Sequence, residues 1–168
     1  MKLDFLKCII IHIFVLNMNK TFCWVDNPSD YRVIFLDIDG VINIKGQGEF
    51  NTLCMDNLLT LIDDKTRIVI SSSWRTMDRI DLYEKFIYMG LYYDIWDKII
   101  GITGKYTGSD FKQSRELEVK EWIDTYNPID YVILDDTREF TGLKNFIKIR
   151  GDVGLTVGDC RVIGNILG

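Results

Sequence analysis

Two aspartates at the end of an apolar run are the residues in this chain best suited to chemistry. Asp37 and Asp39 lie in segment 33–43, where a run of apolar and β-branched residues predicts a buried strand. Burying carboxylates there costs free energy, so their presence indicates a site. Two acids one residue apart can differ in protonation near neutral pH, so that one acts as nucleophile and the other as general acid. Gly40 lets the backbone turn sharply and leaves room for a ligand.

This segment has two simpler interpretations. Asp-Gly is common turn chemistry, so Asp39 and Gly40 alone could mark a strand-to-turn junction. That interpretation does not explain Asp37, which still lies inside the apolar run. An EF-hand calcium loop is not supported, because the other oxygen ligands and the closing Glu are missing at the required spacing.

Polar residues also follow two later apolar runs. Ser71, Ser72 and Ser73 follow an Ile-Val-Ile run, where their hydroxyl and N–H groups could bind phosphate at the start of a helix. Capping by serine is the alternative. Asp135 and Asp136 end another run, with a helix cap or a turn as the alternative. Four converging acids would repel one another, and a hard divalent cation such as Mg²⁺ would relieve that repulsion.

From residue 31 onward, short apolar runs alternate with helical patterns, which predicts βαβ units. The pattern indicates an α/β fold with a parallel sheet of about five strands and helices on both faces. Ligands bind beyond the carboxyl ends of such strands, where all three polar groups lie. The predicted strands are 32–37, 67–71, 98–101, 131–135 and 146–149, and the predicted helices are 51–62, 76–89, 114–126 and 157–167.

Composition limits the class of protein. At 168 residues the chain fits one domain, which we place at 31–168, after an extension at 1–30. A net charge of −5 argues against nucleic-acid binding through an overall basic surface. The one histidine, His12, lies in the extension, so catalysis in the domain depends on carboxylates. The four cysteines lack zinc or dithiol spacing, but Cys54 and Cys160 could pair in a secreted protein.

The N-terminal segment has the shape of a secretory signal peptide. Lys2 and Lys7 precede an apolar stretch, 8–16, which is too short to span a membrane. An acid in the charged region and a histidine in the apolar stretch depart from that pattern, and a start at Met18 is the alternative. We therefore expect a cytoplasmic protein, or a secreted one if residues 1–23 are cleaved.

Taken together, these residues resemble the haloacid dehalogenase superfamily of phosphotransferases. Its D-x-D-G motif matches 37–40, its Ser/Thr motif falls in 71–73, and its acidic motif falls on 135–136. The resemblance covers residues 31 to about 167 and implies a Rossmann-like fold. The segments 35–43, 70–75, 115–123 and 132–136 are similar, more narrowly, to the haloacid dehalogenase domain of Swiss Army knife RNA repair proteins.

The resemblance implies a Mg²⁺-dependent phosphatase in which Asp37 attacks phosphorus to give an aspartyl-phosphate. Asp39 would protonate the leaving oxygen, then activate water, and would bind Mg²⁺ through its main-chain carbonyl. Asp136 would bind the same ion, with Asp135 supporting it. The implied metal set is therefore Asp37, Asp39, Asp135 and Asp136.

The same resemblance implies groups that bind the phosphate. Ser72 best matches the motif serine, and Ser71 is its rival. The implied phosphate-binding set is Ser71, Ser72, Ser73 and Arg75.

The motif cation that neutralises phosphate charge is assigned to Arg115, with Lys112 and Lys120 as alternatives. A surface charge on a helix is the simpler interpretation of Arg115.

Substrate class follows from the spacing of the first two motifs. Only about thirty residues separate them, which leaves no room for a sizeable cap domain. In this superfamily an open site suggests a large substrate, such as an RNA or DNA end, over small phosphorylated metabolites or phosphoproteins. A local basic rim for such a substrate could be formed by Lys45, Arg75, Lys105 and Lys112.

Two other functions share features of this pattern. A response-regulator receiver accepts phosphate on an Asp of a doubly wound sheet, but its acidic pair comes on the first strand and its phospho-acceptor on the third. Here the D-x-D motif comes first and the double Asp comes late. A non-catalytic binding domain could keep the same fold, although every expected catalytic position carries a competent residue.

Overall fold

One six-stranded, mostly parallel sheet forms the centre of the computed structural model, which describes residues 21–44, 47–105, 114–137 and 139–168. The spatial order is β1-β4-β3-β2-β5-β6, with β1 antiparallel to β4 and the other pairs parallel. The chain builds from β2 out to β4 and then crosses to β5, so the topological switch point lies beside β2. The strands are β1 (Phe22–Cys23), β2 (Arg32–Leu36), β3 (Thr66–Ile70), β4 (Ile99–Ile102), β5 (Asp130–Asp135) and β6 (Phe146–Lys148).

Five α-helices pack on this sheet in the described part of the chain, and none of them is long and apolar enough to cross a membrane. Side chains fix where several begin. The Asn51 side chain accepts a hydrogen bond from the Cys54 N–H, and Thr156 forms a capping box with Asp159. The helices are α1 (Thr52–Leu59), α2 (Arg79–Tyr88), α3 (Tyr93–Trp96), α4 (Ser114–Tyr126) and α5 (Val157–Leu167).

Alternation along β2 divides the core into two layers. Ile34 and Leu36 face the layer that also holds residues of α1, α2, α3 and α5. Val33 and Phe35 face the other layer, where Phe35 packs edge-on against Trp122 of α4 at 5.4 Å between ring centroids. The prediction of helices on both faces is therefore confirmed. Residue 37 continues the alternation of Val33 and Phe35, so it lies on the face that α4 covers.

The five predicted strands are present, and their ends shift by at most one residue. The helix predicted at 76–89 begins only at Arg79, because the Asp78 side chain accepts the N–H groups of Ile80 and Asp81 and so fixes the start. A separate 3₁₀ turn, Ser73–Thr76, precedes it. The four-residue helix α3 was not predicted.

Strand β1 is a second feature that the sequence analysis did not contain. Phe22 pairs with Ile102, and Cys23 pairs with Gly101. A Cβ atom on Gly101 would collide with the Phe22 carbonyl, so glycine permits this close approach. Two residues are too few for a period of two to be recognised, and the segment lay in the predicted N-terminal extension.

The thiols of Cys54 and Cys160 are both buried and free. Cys54 Sγ lies 3.8 Å from the Val153 carbonyl oxygen, and Cys160 Sγ lies 3.4 Å from the carbonyl oxygen of Asn57. The disulfide considered for a secreted protein is not formed in this structure.

Candidate active site

Strand register brings three of the candidate residues to one level of the sheet. Leu36 pairs with Ile70 on one side and with Leu134 on the other, so the residues that follow each of them lie side by side. These residues are Asp37, Ser71 and Asp135. Backbone hydrogen bonds continue the ladders to this level, from Asp37 N–H to Leu134 O and from Ser71 N–H to Leu36 O, both at 2.9 Å.

Three carboxylates meet at this edge. Asp37, Asp135 and Asp136 each offer an oxygen that lies within 4.8 Å of the other two. Asp37 and Asp135 are only 7% and 1% exposed, whereas Asp136 is half-buried. The donor set consists of carboxylate oxygens, which are the ligands of hard divalent cations such as Mg²⁺. These residues therefore fit the magnesium ion that the sequence predicts.

Two glycines leave space for the Asp136 carboxyl group. A Cβ atom at either Gly40 or Gly151 would collide with the Asp136 side chain. Gly40 also has φ of +84°, a conformation that costs free energy for any other residue. The turn after β2 and the loop after β6 thus have no side chain where the third carboxylate sits.

The environment of Asp37 disfavours its charged form. Its pKa is raised to about 7, first because burial removes water from the carboxylate and second because Asp135 carries a like charge. The Arg115 guanidinium, the Ile38 N–H and the Ser72 hydroxyl oppose this rise in pKa. A bound cation would act in the same direction as Arg115 and favour the ionised nucleophile.

We expect the metal-free protein to lose stability as pH rises from about 4 to about 7. Because the pKa of Asp37 is higher in the folded state than the unfolded value of 3.8, the folded state binds more protons across that window. Asp37→Asn removes this titration, so it should raise the free energy of unfolding by about 2 to 4 kcal/mol at pH 8. The difference in the free energy of unfolding between Asp37→Asn and the wild type should shrink toward pH 4.

Urea unfolding in EDTA at pH 4 and pH 8 measures this effect. Asp64→Asn is the matched control, because Asp64 is exposed and lies before β3, at the opposite edge of the sheet. An Asp37→Asn variant that is no more stable than the wild type at pH 8 would contradict the electrostatic picture.

Arg115, the predicted phosphate-neutralising residue, lies beside two of the three clustered carboxylates. Its Nη1 lies 3.7 Å from Asp37 Oδ1 and 3.5 Å from Asp135 Oδ2, and it donates no hydrogen bond to a described residue. Lys120 is exposed and pairs with Asp124 at 2.5 Å, away from the cluster. The other alternative, Lys112, lies outside the described residues.

Arg75 is placed differently from its expected role as a phosphate ligand. Its Nη2 donates to Glu118 Oε2 at 2.6 Å, its Nη1 to the Ser72 carbonyl at 2.7 Å, and its Nε to the Gly104 carbonyl at 3.1 Å. Glu118, only 2% exposed, also lies 3.8 Å from Arg115 Nε and so stands between two guanidinium groups. The sequence analysis missed Glu118, although its position one helical turn after Arg115 was a usable signal.

The three serines differ in burial and in partners. Ser72 is fully buried, its hydroxyl acts to lower the pKa of Asp37, and its side chain accepts from the Trp74 N–H at 3.4 Å. The Ser71 hydroxyl is also buried, and among the described residues it has no hydrogen-bond partner. Ser73 is exposed, at the start of the 3₁₀ turn. Ser72 is thus the serine that favours the ionised form of Asp37.

The Asp39 carboxylate is not part of the three-acid cluster. Its Oδ1 accepts from Asn43 Nδ2 at 2.7 Å, and its Oδ2 accepts from Trp74 Nε1 at 2.9 Å. Each oxygen of this carboxylate therefore accepts one side-chain N–H, and the role of the Asp39 main-chain carbonyl as a metal ligand stays a prediction. Neither Asn43 nor Trp74 was among the predicted site residues.

The expected basic rim is described only in part. Lys105 is exposed, whereas the Arg75 guanidinium donates a hydrogen bond to Glu118. Lys45 and Lys112 lie outside the described residues.

Comparison with known proteins gives one result. The family model described as "HAD domain in Swiss Army Knife RNA repair proteins" matches residues 33–160, which include every predicted site residue. No curated protein and no solved structure matches the chain.

Proposed function

The chain belongs to the family of HAD domains in Swiss Army Knife RNA repair proteins, and on that premise we propose a Mg²⁺-dependent phosphohydrolase that uses Asp37 as nucleophile. The family indicates a phosphatase-type function. The mechanism and the substrate given below are our own proposal.

One observation carries the proposal. Asp37, Asp135 and Asp136 are brought within 4.8 Å of one another from two strands that are far apart in the sequence and paired in the sheet, and Arg115 Nη1 stands beside two of them without a hydrogen bond to a described residue. Like charges crowded in a buried place cost stability. Buried groups held at such a cost in stability are typical of sites that bind a cation and a charged substrate.

Asp37, Asp135, Asp136 and the main-chain carbonyl of Asp39 would hold Mg²⁺. When bound, the ion would neutralise the acids and draw charge from the phosphate oxygens, which supplies much of the catalysis in phosphoryl transfer. The protein groups then bind and orient the substrate around Asp37.

The nucleophile and the acid have separate environments. An Asp37 carboxylate oxygen attacks phosphorus, and the Ser72 hydroxyl favours the ionised form of that carboxylate. Asp39 donates its proton to the leaving oxygen and afterwards accepts a proton from the water that releases phosphate. Arg115 neutralises charge on the phosphate oxygens.

Ser71 and Ser73 are proposed as further phosphate contacts. The Ser71 hydroxyl is buried beside Asp37 and lacks a partner among the described residues, so a phosphate oxygen or a water would satisfy it. Arg75 is assigned instead to holding the serine turn, because its guanidinium bonds to the Ser72 carbonyl and to Glu118.

The proposed substrate is a phosphate at an RNA or DNA end. Between Asp39 and Ser71 the described residues form one turn, α1 and β3, and this segment contains no cap domain among them. An open site admits a phosphate on a large molecule. The family name refers to RNA repair, which favours nucleic acid over a phosphoprotein.

Phosphate release from a substrate panel tests this function. The panel contains RNA and DNA oligonucleotides with 5′- or 3′-phosphate, mononucleotides and a phosphopeptide, each with Mg²⁺ and with EDTA. We expect Mg²⁺-dependent release, with kcat/KM at least about tenfold higher for an oligonucleotide end than for a mononucleotide. Preference for the mononucleotide or the peptide would reject the substrate, and absence of release from all of them would favour a binding domain.

A further inference from the structure

Both carboxylate oxygens of Asp39 are held by side-chain N–H donors. Asn43 Nδ2 lies 2.7 Å from Oδ1, and Trp74 Nε1 lies 2.9 Å from Oδ2. An indole nitrogen can only donate, so Oδ2 must be the acceptor. Two donors on different oxygens fix the plane of the carboxyl group and leave one lone-pair direction on each oxygen for a proton.

The turn after β2 fixes the first donor. The Ile38 carbonyl accepts the N–H groups of the three residues 41–43 at 3.0 to 3.2 Å, and the Gly40 N–H donates to the Asn43 carbonyl at 2.7 Å. Asp39 and Asn43 form an isolated parallel β-bridge. Asn43 is therefore held beside Asp39 by the backbone itself.

Aromatic packing fixes the second donor. Trp74 is 8% exposed and packs against Phe50 and Phe86, with ring centroids at 5.9 and 5.6 Å. The Lys85 ammonium lies 3.6 Å from the centre of its ring. The attraction between this cation and the ring face helps to hold the indole in place. The donor to Asp39 thus comes from a rigid apolar cluster 35 positions along the chain.

We propose that Trp74 and Asn43 are positioning residues that aim the Asp39 carboxyl group at the leaving oxygen of the substrate, an inference that rests on the proposed function. In that step Asp37 Oδ forms a bond to phosphorus while the bond from phosphorus to the leaving oxygen breaks. The Asp39 proton passes to the leaving oxygen, and Asp39 is left as a carboxylate. Loss of either donor lets the carboxyl group rotate away from the line of transfer.

A purely structural role for these bonds gives a different result. If Trp74 and Asn43 only stabilise the fold, their loss lowers activity equally on every substrate. If they aim a proton, the loss depends on how much the leaving oxygen needs that proton. A p-nitrophenolate leaves without protonation, whereas an alkoxide does not.

The experiment compares Trp74→Phe with wild type on p-nitrophenyl phosphate and on benzyl phosphate. Phenylalanine keeps the aromatic packing and removes the N–H. We expect kcat/KM, which covers only the steps up to departure of the leaving group, to fall by about 10- to 100-fold on benzyl phosphate and by less than about threefold on p-nitrophenyl phosphate. Asp39→Asn should show the same bias with a larger loss.

Two further variants make the result decisive. Trp122→Phe is the matched control, because Trp122 is fully buried and its Nε1 has no acceptor among the described residues. It should leave the ratio of the two rates unchanged. Asn43→Ala should shift the ratio as Trp74→Phe does, and it does so without altering the apolar core.

Equal losses on both substrates in Trp74→Phe and Asn43→Ala, or no loss in either, would overturn the inference and leave the proposed function standing. A wild-type protein that, with Mg²⁺, hydrolyses neither of these two substrates and releases no phosphate from the oligonucleotide ends would overturn both. The two failures are therefore distinguishable in the same set of assays.

Discussion

Asp37→Asn should lower kcat/KM for p-nitrophenyl phosphate with Mg²⁺ by about 10⁴-fold or more. The amide nitrogen cannot attack phosphorus, and the change also removes one of the three carboxylates that meet at the site. The fold should persist, because Asn occupies nearly the same volume and relieves the repulsion from Asp135. Steady-state kinetics and a urea denaturation curve on the same preparation measure both effects.

Asp64→Asn makes the same chemical change at an exposed position and should keep kcat/KM within about twofold of wild type. The central role of Asp37 would be refuted by an Asp37→Asn variant with more than about a tenth of wild-type activity.

Arg115→Met should lower kcat/KM by about 100- to 1000-fold, comparable with the loss of one preorganised donor in other enzymes. Arg115 is buried, and its Nη1 lies 3.5 and 3.7 Å from Asp135 and Asp37 without donating a hydrogen bond to a described residue. That N–H is available for a phosphate oxygen. Methionine keeps much of the side-chain volume and removes the charge, and kinetics with Mg²⁺ at saturation measure the loss.

Lys120→Met is the control on the same helix. Lys120 is exposed and pairs with Asp124, so its loss should change kcat/KM by less than about twofold. Arg115→Lys should recover part of the activity, because the charge returns without the planar donor geometry. If Lys120→Met were as damaging as Arg115→Met, the assignment of the motif cation would be wrong.

The parallel sheet could be predicted from the sequence, and so could the position of Asp37 and Asp135 at the same edge of it. Apolar runs ending in Asp37 and Asp135 predicted two parallel strands, and parallel strands end at the same edge. Register then aligns these residues one position beyond Leu36 and Leu134. The prediction worked because the pattern depends on strand periodicity, which a single sequence contains.

Contacts between distant side chains could not be predicted in this way. Nothing in the sequence spacing of Trp74 shows that its N–H reaches Asp39. The bond from Arg75 to Glu118 likewise depends on how α4 packs against the serine turn. Such contacts depend on side-chain direction in three dimensions, for which helix and strand periods contain no information.

The proposed mechanism requires one divalent cation bound among Asp37, Asp135 and Asp136, beside an attacking Asp37 oxygen. A crystal structure with Mn²⁺ and beryllium fluoride tests it most directly, because Mn²⁺ is located by its anomalous signal and the fluoride complex mimics an acyl phosphate. We predict one Mn²⁺ in contact with Asp37 and Asp136, and beryllium bonded to Asp37. An ion bound elsewhere, or a fluoride complex away from Asp37, would contradict the account.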